Sequence, residues 1–498
     1  MNIRSSGVLL PVFSLPSRFG IGDLGPGSRR MVDFLHDAGQ RYWQILPINP
    51  TVSDGFHSPY QSPSAFAFNP LLISPEGLYE DGHLSRQDMQ TTPVFSEKQI
   101  DYEAVSRFKK LLFLKAFERF RKRGGDPGFI EFCKKNDPWL QDFSCYMAFK
   151  THFKEKPWRN WPAPIRMRRK GATRSLANHL LEEIDFIKFL QYIFWVQWQR
   201  LKAYCKRKGV HILGDIPIYV PYDSADVWAN PKLFKLDRQM RPEAVSGVPP
   251  DYFSKTGQLW GHPVYRWTAH QKTRYAWWSF RISHNLSLFD AIRIDHFRGL
   301  VACWEVPSGK RTAKNGKWVN VPTVDFFNEM MRRFTAFPVI AEDLGYITAD
   351  VREIMRRYDF PGMRLLVFGF GGDLSTNPNA PHNIVRNCVI YTGTHDTNTI
   401  RGWYEGEAAQ SEKEQLHAYL GRRLSANDLP QEMIRLAMIS PAFLCIIPMQ
   451  DLLSLGKDAR INVPGRSEGN WLWRMTPAQF SAVPRKQLRQ MTELYARA

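Results

Sequence analysis

Short apolar runs that follow predicted helices constrain the fold of this chain most strongly. Several of these helices end at a glycine or proline, as the long helix predicted over residues 186–208 ends at Gly209. Strands that alternate with helices indicate a parallel sheet with crossover connections. Eight such strands predict a closed (β/α)8 barrel of the TIM type, which is an α/β fold. The eight runs are residues 7–11, 42–46, 210–213, 289–294, 339–341, 363–368, 388–391 and 443–448.

An open, doubly wound sheet is the main alternative. That class usually carries a glycine-rich phosphate loop after a strand, but neither GxGxxG nor GxxxxGK[ST] follows any predicted strand. The nearest approach is Gly20-Ile21-Gly22, which lacks the third glycine. We therefore expect the closed barrel.

Two long gaps between the predicted strands indicate insertions. A barrel of this type needs about 250 residues, and the chain has 498. We expect one catalytic domain over residues 1–498, with a mostly helical insertion at 75–180 and a loop-rich insertion at 216–285. The second insertion is rich in aromatic residues, proline and glycine. Insertions at the C-terminal face of a barrel would form the walls of its active site.

Three acidic residues, Asp295, Glu342 and Asp396, each follow an apolar run. The C-terminal ends of barrel strands carry the catalytic residues of such enzymes. Three carboxylates suit glycosidic-bond chemistry, which requires a nucleophile, a proton donor and a group that orients the substrate. Arg293 precedes Asp295 by two residues, so it shares a strand face with it and can keep it ionised. For any one acid alone, a core ion pair with a nearby arginine is an equally good interpretation.

Composition points to a cytoplasmic protein. The six cysteines form no CxxC pair and have no metal-ligand spacing, which favours free thiols in a reducing compartment. The N-terminal apolar run is too short for the core of a signal peptide. The longest apolar stretch, residues 436–449, contains Pro441 and Pro448 and is too short for a membrane span. We expect no metal, no cofactor and no membrane association.

A formal net charge of +19 raises the question of an anionic partner. The basic residues are spread along the chain, and no recognised nucleic-acid-binding motif accompanies them. We expect weak, nonspecific attraction to polyanions and no specific nucleic-acid partner.

Several motifs, in order along the chain, resemble those of the amylomaltases. This 4-α-glucanotransferase family is related to the α-amylases. The resemblance extends from about residue 5 to residue 475 and implies α-1,4-glucans and maltooligosaccharides as substrates. It implies transfer of a glucan segment to the 4-hydroxyl of an acceptor through a covalent glycosyl-enzyme, with retention of configuration. The motifs are GIGDLG (20–25), SPYQSPSAFAFNP (58–70), GDIPIYV (214–220), GVPPDYFSKTGQLWG (247–261), RIDHFRG (293–299), AEDLG (341–345), THDTNT (394–399), and PMQDLLSLG (448–456) through NVPG (462–465).

The same resemblance assigns roles to the three acids. It implies that Asp295 is the nucleophile, that Glu342 is the general acid and base, and that Asp396 grips the sugar and stabilises the transition state. Retention requires the first two carboxyl groups to lie about 5–5.5 Å apart. Because Glu342 must start protonated, we expect its pKa to lie above that of Asp295.

Further substrate contacts follow from the resemblance, with ordinary packing left open for the aromatic residues. Tyr60 would stack on the sugar at the cleavage point, His395 would bind its hydroxyls, and Trp260 would lie in a loop over the acceptor. A buried core histidine is the alternative for His395, and His296 would either contact substrate or brace the nucleophile strand. The full set of expected substrate-binding residues is Tyr60, Asp215, Trp260, Arg293, His395, Asp373 and Asn462.

The chain departs from the family pattern at Arg466, Phe68 and His57. None of these is a catalytic carboxylate, so the departures bear on chain-length preference and remote sugar contacts. Two other functional classes stay open at this point: a retaining α-glucan hydrolase, and an inactive protein that binds glucan or nucleic acid.

Overall fold

A computed structural model of the chain describes residues 3–53, 56–124, 126–250 and 254–498, which form two β-sheets. One sheet has eight parallel strands in the order β10-β11-β12-β1-β2-β3-β6-β9, and the other has four antiparallel strands in the order β5-β4-β7-β8. The strands are β1 (Ser5–Leu9), β2 (Tyr42–Gln44), β3 (His211–Ile216), β4 (Ala244–Val248), β5 (Gln258–Pro263), β6 (Ala291–Ile294), β7 (Ala302–Pro307), β8 (Lys317–Asn320), β9 (Val339–Ala341), β10 (Gly362–Leu365), β11 (Cys388–Tyr391) and β12 (Leu444–Pro448).

The parallel sheet closes into a barrel at the seam between β9 and β10. The backbone N–H of Ala341 donates to the carbonyl of Pro361 at 2.9 Å. The Asp343 carboxylate accepts from the backbone N–H of Met363 at 2.6 Å and so extends the seam. A Cβ on Gly362 would lie 2.6 Å from that carboxylate, so only glycine fits beside it. The predicted (β/α)8 barrel is confirmed.

The barrel strands are recognisable in the sequence because both of their faces are buried. All residues of β6, β9, β11 and β12 are buried, and these strands consist largely of aliphatic residues. Parallel strands covered by helices outside and packed side chains inside give such continuous apolar runs. Each of the eight predicted runs overlaps one barrel strand.

Helices surround the barrel and fill the long gap after β2. The helices within or overlapping residues 75–180 are α2 to α6, consistent with the helical character expected there. The α-helices in the described residues are α1 (Pro26–Asp37), α2 (Pro75–Glu80), α3 (Tyr102–Lys122), α4 (Pro127–His152), α5 (Ala163–Arg166), α6 (Lys170–His179), α7 (Leu181–Arg207), α8 (Ala225–Ala229), α9 (Trp267–Lys272), α10 (Ala276–Leu288), α11 (Thr323–Arg333), α12 (Ala349–Arg357), α13 (Ile400–Gly406), α14 (Gln410–Leu420), α15 (Leu429–Ile439), α16 (Met449–Leu452), α17 (Pro477–Ala482) and α18 (Arg485–Leu494).

The segment 216–285, which is expected to be rich in loops, also contains short strands and helices. This segment contains β4, β5, α8, α9 and most of α10. Strand β4 pairs with β7, which follows residue 285 in sequence. Two strands of the small sheet, β7 and β8, therefore lie outside the segment 216–285. Its strands are only partly buried and carry Gly247, Gly261 and Pro263, so they lack the continuous apolar runs of the barrel strands.

Phe68, one of the departures from the family pattern, belongs to the hydrophobic core. Its ring is 1% exposed and stacks on Phe194 of α7, with ring centroids 4.7 Å apart. Within the described part of the chain, no helix is long and apolar enough to cross a membrane.

Candidate active site

The register between β6 and β9 brings Asp295 and Glu342 together. Ile294 is paired with Ala341, so the two acids follow the ends of adjacent parallel strands at the same level. The backbone N–H of Glu342 continues this ladder by donating to the carbonyl of Ile294 at 3.1 Å. Adjacent strands lie about 4.8 Å apart. The fold therefore places the two acids side by side at the C-terminal rim.

A buried arginine connects Asp295 to the neighbouring strand β3. Arg293 donates from Nη1 to both carboxylate oxygens of Asp215 at 2.8 Å, and from Nη2 to Asp295 at 2.9 Å. The pairing of Asp215 with Arg293 in the β3–β6 ladder sets this geometry. The side chain of Asp215 is 0% exposed and that of Arg293 is 3% exposed, whereas that of Asp295 is 29% exposed. Asp295 thus has the ion-pair partner expected from the sequence and is still accessible from the rim.

Glu342 is held by two backbone amides. Its Oε2 accepts from the N–H of His296 at 2.7 Å, and its Oε1 accepts from the N–H of Leu344 at 2.8 Å. His296 has a left-handed backbone (φ 51°), which helps to turn its N–H towards Glu342. Amide donors favour the ionised form of a carboxyl group.

Burial raises the pKa of both acids. The pKa of Asp295 rises to about 8, and that of Glu342 is also raised. Because two neighbouring buried carboxyl groups cannot both ionise freely, the pair keeps a proton at neutral pH. The amide contacts of Glu342 favour its ionised form, and the Arg293 ion pair favours the ionised form of Asp295 in the same way. The expectation that Glu342 has the higher pKa of the two stays a prediction.

The third acid, Asp396, belongs to a hydrogen-bonded cluster on the loop after β11. Asn462 donates from Nδ2 to Asp396 at 2.6 Å, and His395 Nε2 lies 3.3 Å from its other carboxylate oxygen. The Tyr60 hydroxyl donates to Asp215 at 2.7 Å and lies 2.8 Å from His395 Nε2. A continuous network thus connects Asp396 to Asp215.

Trp260 is on β5, with its ring edge-on to His296 and the ring centroids 4.6 Å apart. His296 follows Asp295 directly, so Trp260 lies beside the segment that carries Asp295. Burial lowers the pKa of His296 to about 3, so its imidazole is neutral at pH 7. Phe253, in the segment expected to cover the acceptor, lies outside the described residues.

Asp373 is not brought into this cluster. It lies in an exposed turn, where its carboxylate accepts from the N–H of Ser375 at 3.0 Å and from the hydroxyls of Ser375 and Thr376. Among the described residues, no hydrogen bond links its side chain to the other acids. A role for Asp373 in substrate binding stays a prediction.

Two site residues escaped the sequence analysis. Arg460 donates from Nη2 to the backbone carbonyl of Asp396 at 3.0 Å and from Nε to that of Asn462 at 2.7 Å, which ties two loops together. Trp471 packs behind Tyr60 and His395, with ring centroids 5.8 and 6.1 Å away. Its left-handed backbone (φ 65°) is unusual for a large residue. The only sequence signal for either was their proximity to NVPG.

A TIM barrel with two adjacent rim carboxyl groups, a buried arginine between strands and a third carboxylate beside them defines the class of retaining enzymes that act on glycosidic bonds. Residues 10–480 match the profile of the glycoside hydrolase 77 family, described as 4-alpha-glucanotransferase. The chain belongs to this family, and the sequence-based expectation is confirmed.

Individual relatives agree with the family match. A 4-alpha-glucanotransferase of Aquifex aeolicus is 46% identical over 473 residues, covering 95% of this chain and 96% of that protein. One of Thermus thermophilus is 41% identical and covers 98% of each chain. Among solved structures, the amylomaltase of Streptococcus agalactiae in complex with acarbose superposes with a TM-score of 0.96. It is 36% identical, and the match covers 99% of this chain and 100% of that one.

Proposed function

We propose that Asp295, Glu342 and Asp396 form one retaining active site that transfers segments of α-1,4-glucans. The observation that carries this assignment is the register of β6 and β9, which sets Asp295 and Glu342 one strand spacing apart. That spacing, about 4.8 Å between backbones, suits the separation of about 5–5.5 Å that retaining enzymes need.

In the first step, an oxygen of Asp295 attacks the anomeric carbon and forms a β-glycosyl ester. The bond to the leaving 4-oxygen breaks, and Glu342 donates its proton to that oxygen. Glu342 must therefore take up the proton shared by the pair. A protonated carboxyl group cannot keep both oxygens as full acceptors, so we expect Glu342 to give up one of its two amide contacts before it donates.

In the second step, Glu342 takes the proton of an acceptor 4-hydroxyl, and the acceptor oxygen displaces Asp295. Arg293 stabilises the released Asp295 carboxylate, because it remains anchored to Asp215 throughout. Two inversions at the anomeric carbon restore the α configuration.

Asp396 and Tyr60 are the proposed binding groups for the sugar at the cleavage point, and hydroxyl binding by His395, whose side chain is 1% exposed, stays a prediction. Asn462 holds Asp396 in place, and the side chain of Asp396 is still 39% exposed. An exposed carboxylate with a fixed orientation can accept from sugar hydroxyls in the transition state. The acarbose complex of the related amylomaltase supports an α-glucan as the ligand class here.

Azide rescue tests the assigned roles. The Glu342→Ala variant should still transfer the maltosyl group of α-maltosyl fluoride to Asp295, because fluoride leaves without an acid catalyst. The reaction should then stop at the covalent ester, because no general base is present. Added azide needs no general base, so it should restore turnover and yield the α-maltosyl azide. Failure of azide to restore turnover, or a β-azide product, would refute the assignment of Glu342.

We also propose a single catalytic domain in which residues 75–180 and 216–285 are insertions packed on the barrel, and a cytoplasmic location. In support of the location, all six cysteines are free, and five of them are buried. Fractionation of cells that produce the full chain, with a periplasmic marker as control, tests the location.

A further inference from the structure

Two residues after β12 hold the loop that carries His395 and Asp396. Gln450 and Asp451 lie at the start of α16, in the motif PMQD, and are 4% and 1% exposed. The roles proposed above make no use of them. They are polar, buried and adjacent to the active-site loop.

Asp451 binds both ends of this loop. Its Oδ2 accepts from the Thr392 hydroxyl at 2.5 Å, and its Oδ1 accepts from the backbone N–H of Ile400 at 2.8 Å. Thr392 directly follows β11, and Ile400 begins α13. Residues 393–399 therefore form a loop whose two ends are clamped by one carboxylate.

The hydrogen-bond network fixes the tautomer of His395. The Tyr60 hydroxyl has one hydrogen, and it donates this hydrogen to Asp215, which is paired with Arg293 and can only accept. The Tyr60 oxygen must then accept from His395, which places the hydrogen of His395 on Nε2. Burial lowers the pKa of His395, so its ring is neutral and Nδ1 is an acceptor.

Two buried acceptors near this loop have no hydrogen-bond donor among the described residues. They are Nδ1 of His395 and Oε1 of Gln450. His395 is 3% exposed and Gln450 is 4% exposed. The amide of Gln450 is oriented by its Nε2, which donates to the carbonyl of Ala459 at 3.3 Å. If the amide were flipped, Oε1 of Gln450 would face the carbonyl oxygen of Ala459, and two acceptors would repel each other. Oε1 is therefore the atom of this amide that has no hydrogen-bond donor among the described residues.

Both residues line a cavity of about 10 Å³ between the loop and α16. A space of about that size holds one water molecule, provided that polar partners are present. A water molecule has two O–H donors, which matches the two unpaired acceptors.

We infer that Gln450 and Asp451 are positioning residues for the His395–Asp396 loop. Asp451 acts directly, through its hydrogen bonds with Thr392 and Ile400. Gln450 acts through one buried water molecule, which donates one hydrogen bond to Nδ1 of His395 and the other to Oε1 of Gln450. The inference rests on the sugar-binding role proposed for Asp396, and it adds the means by which the loop that carries Asp396 is held.

A crystal structure at a resolution that shows ordered water tests the site directly. We expect one water within about 2.7–3.2 Å of both His395 Nδ1 and Gln450 Oε1. An empty cavity, or a protein donor on either atom, would overturn the water-mediated link.

Kinetics test whether the link positions His395. Gln450→Leu should lower kcat/KM for maltotriose about tenfold, since small displacements of catalytic groups cost up to about a hundredfold. In a His395→Ala background the same change should cost less than about twofold, because the group being positioned is gone. Gln431→Leu is the matched control: Gln431 also donates to a backbone carbonyl at 3.3 Å, that of Leu452. An equal loss in both backgrounds, or an equal loss in the control, would overturn the positioning role.

The Asp451 contacts are tested through Thr392, so that the buried acid stays in place. Thr392→Val should lower kcat/KM, and Thr392→Ser should restore it, because serine keeps the hydroxyl. A Thr392→Val enzyme with unchanged kcat/KM and only a lower melting temperature would overturn the role of Asp451. Full activity of Asp396→Ala would instead refute the proposed function, and the crystallographic result on the water would stand separately.

Discussion

Replacing Asp295 by asparagine should stabilise the fold, because this acid is held where its charge is costly. Its pKa is raised from 3.8 to about 8. A carboxyl group with a raised pKa destabilises the folded state above the unfolded pKa, and the cost grows until the pH reaches the folded pKa. At about 1.4 kcal/mol per pH unit, the interval from 3.8 to 7 corresponds to about 4 kcal/mol at pH 7.

Solvent reaches this side chain, which is 29% exposed, so we expect a gain of about 2–4 kcal/mol. Unfolding entropy of about 2.1 cal/mol/K per residue gives about 1 kcal/mol/K for 498 residues. The melting temperature of Asp295→Asn should therefore rise by about 2–4 °C at pH 7. The difference should vanish near pH 4 and reach its full size near pH 8.

The matched control is Asp215→Asn, which should shift the melting temperature in the opposite direction. Asp215 is fully buried and accepts from Arg293 and Tyr60. Removing its charge leaves a buried arginine short of a partner, a loss of about 3–5 kcal/mol. Scanning fluorimetry of both variants between pH 4 and 8.5 measures the two shifts. An Asp295→Asn protein that is no more stable than the parent, or a gain that does not change with pH, would refute the reasoning.

Three further predictions concern catalysis and the barrel seam. The Asp295–Glu342 pair retains a proton up to about pH 8 and needs this proton for the first step. The value of kcat/KM for maltotriose should therefore be maintained through neutral pH and fall above about pH 8. A pH profile that stays flat to pH 10 would contradict this prediction. Trp260→Ala should raise the ratio of hydrolysis to transfer, measured as new reducing ends against longer oligomers plus glucose from maltotriose. The control is Trp318→Ala, on the opposite edge strand of the same sheet, which should leave the ratio unchanged. Equal ratios in the parent protein, Trp260→Ala and Trp318→Ala would refute a role for Trp260. Asp343→Ala leaves the backbone N–H of Met363 at the barrel seam without its acceptor. We expect the free energy of unfolding to fall by about 1–3 kcal/mol, which should appear as a lower melting temperature. An unchanged melting temperature would show that the seam does not need this carboxylate.

The barrel could be predicted from the sequence because its strands are buried on both faces. Runs such as Cys388–Tyr391 and Leu444–Pro448 are apolar throughout, and their short length and the predicted helices between them favour strands. The strands of the small sheet are partly exposed and contain glycine, serine or charged residues, as Ala244–Val248 and Lys317–Asn320 do. Their pairing spans long sequence distances, which a local pattern does not record.

The position of the three acids at the rim could be predicted because each follows a barrel strand, but most of their contacts could not be predicted. Arg293 was expected to contact Asp295, since the two lie on one strand. Its stronger contact, with Asp215, depends on the register between β3 and β6. The contacts of Arg460 and Asp451 depend on how distant loops return to the rim, and their sequence positions carry no periodic signal.

The identity of the nucleophile is the central claim, and trapping the covalent intermediate tests it most directly. Glu342→Gln should react with α-maltosyl fluoride, because fluoride leaves without a proton donor, and should then accumulate the ester for lack of a base. Peptide mass spectrometry should find one maltosyl group on the peptide that contains Asp295, and none in Asp295→Ala. A maltosyl group on another residue, or release of β-maltose without any adduct, would contradict a retaining site built on Asp295.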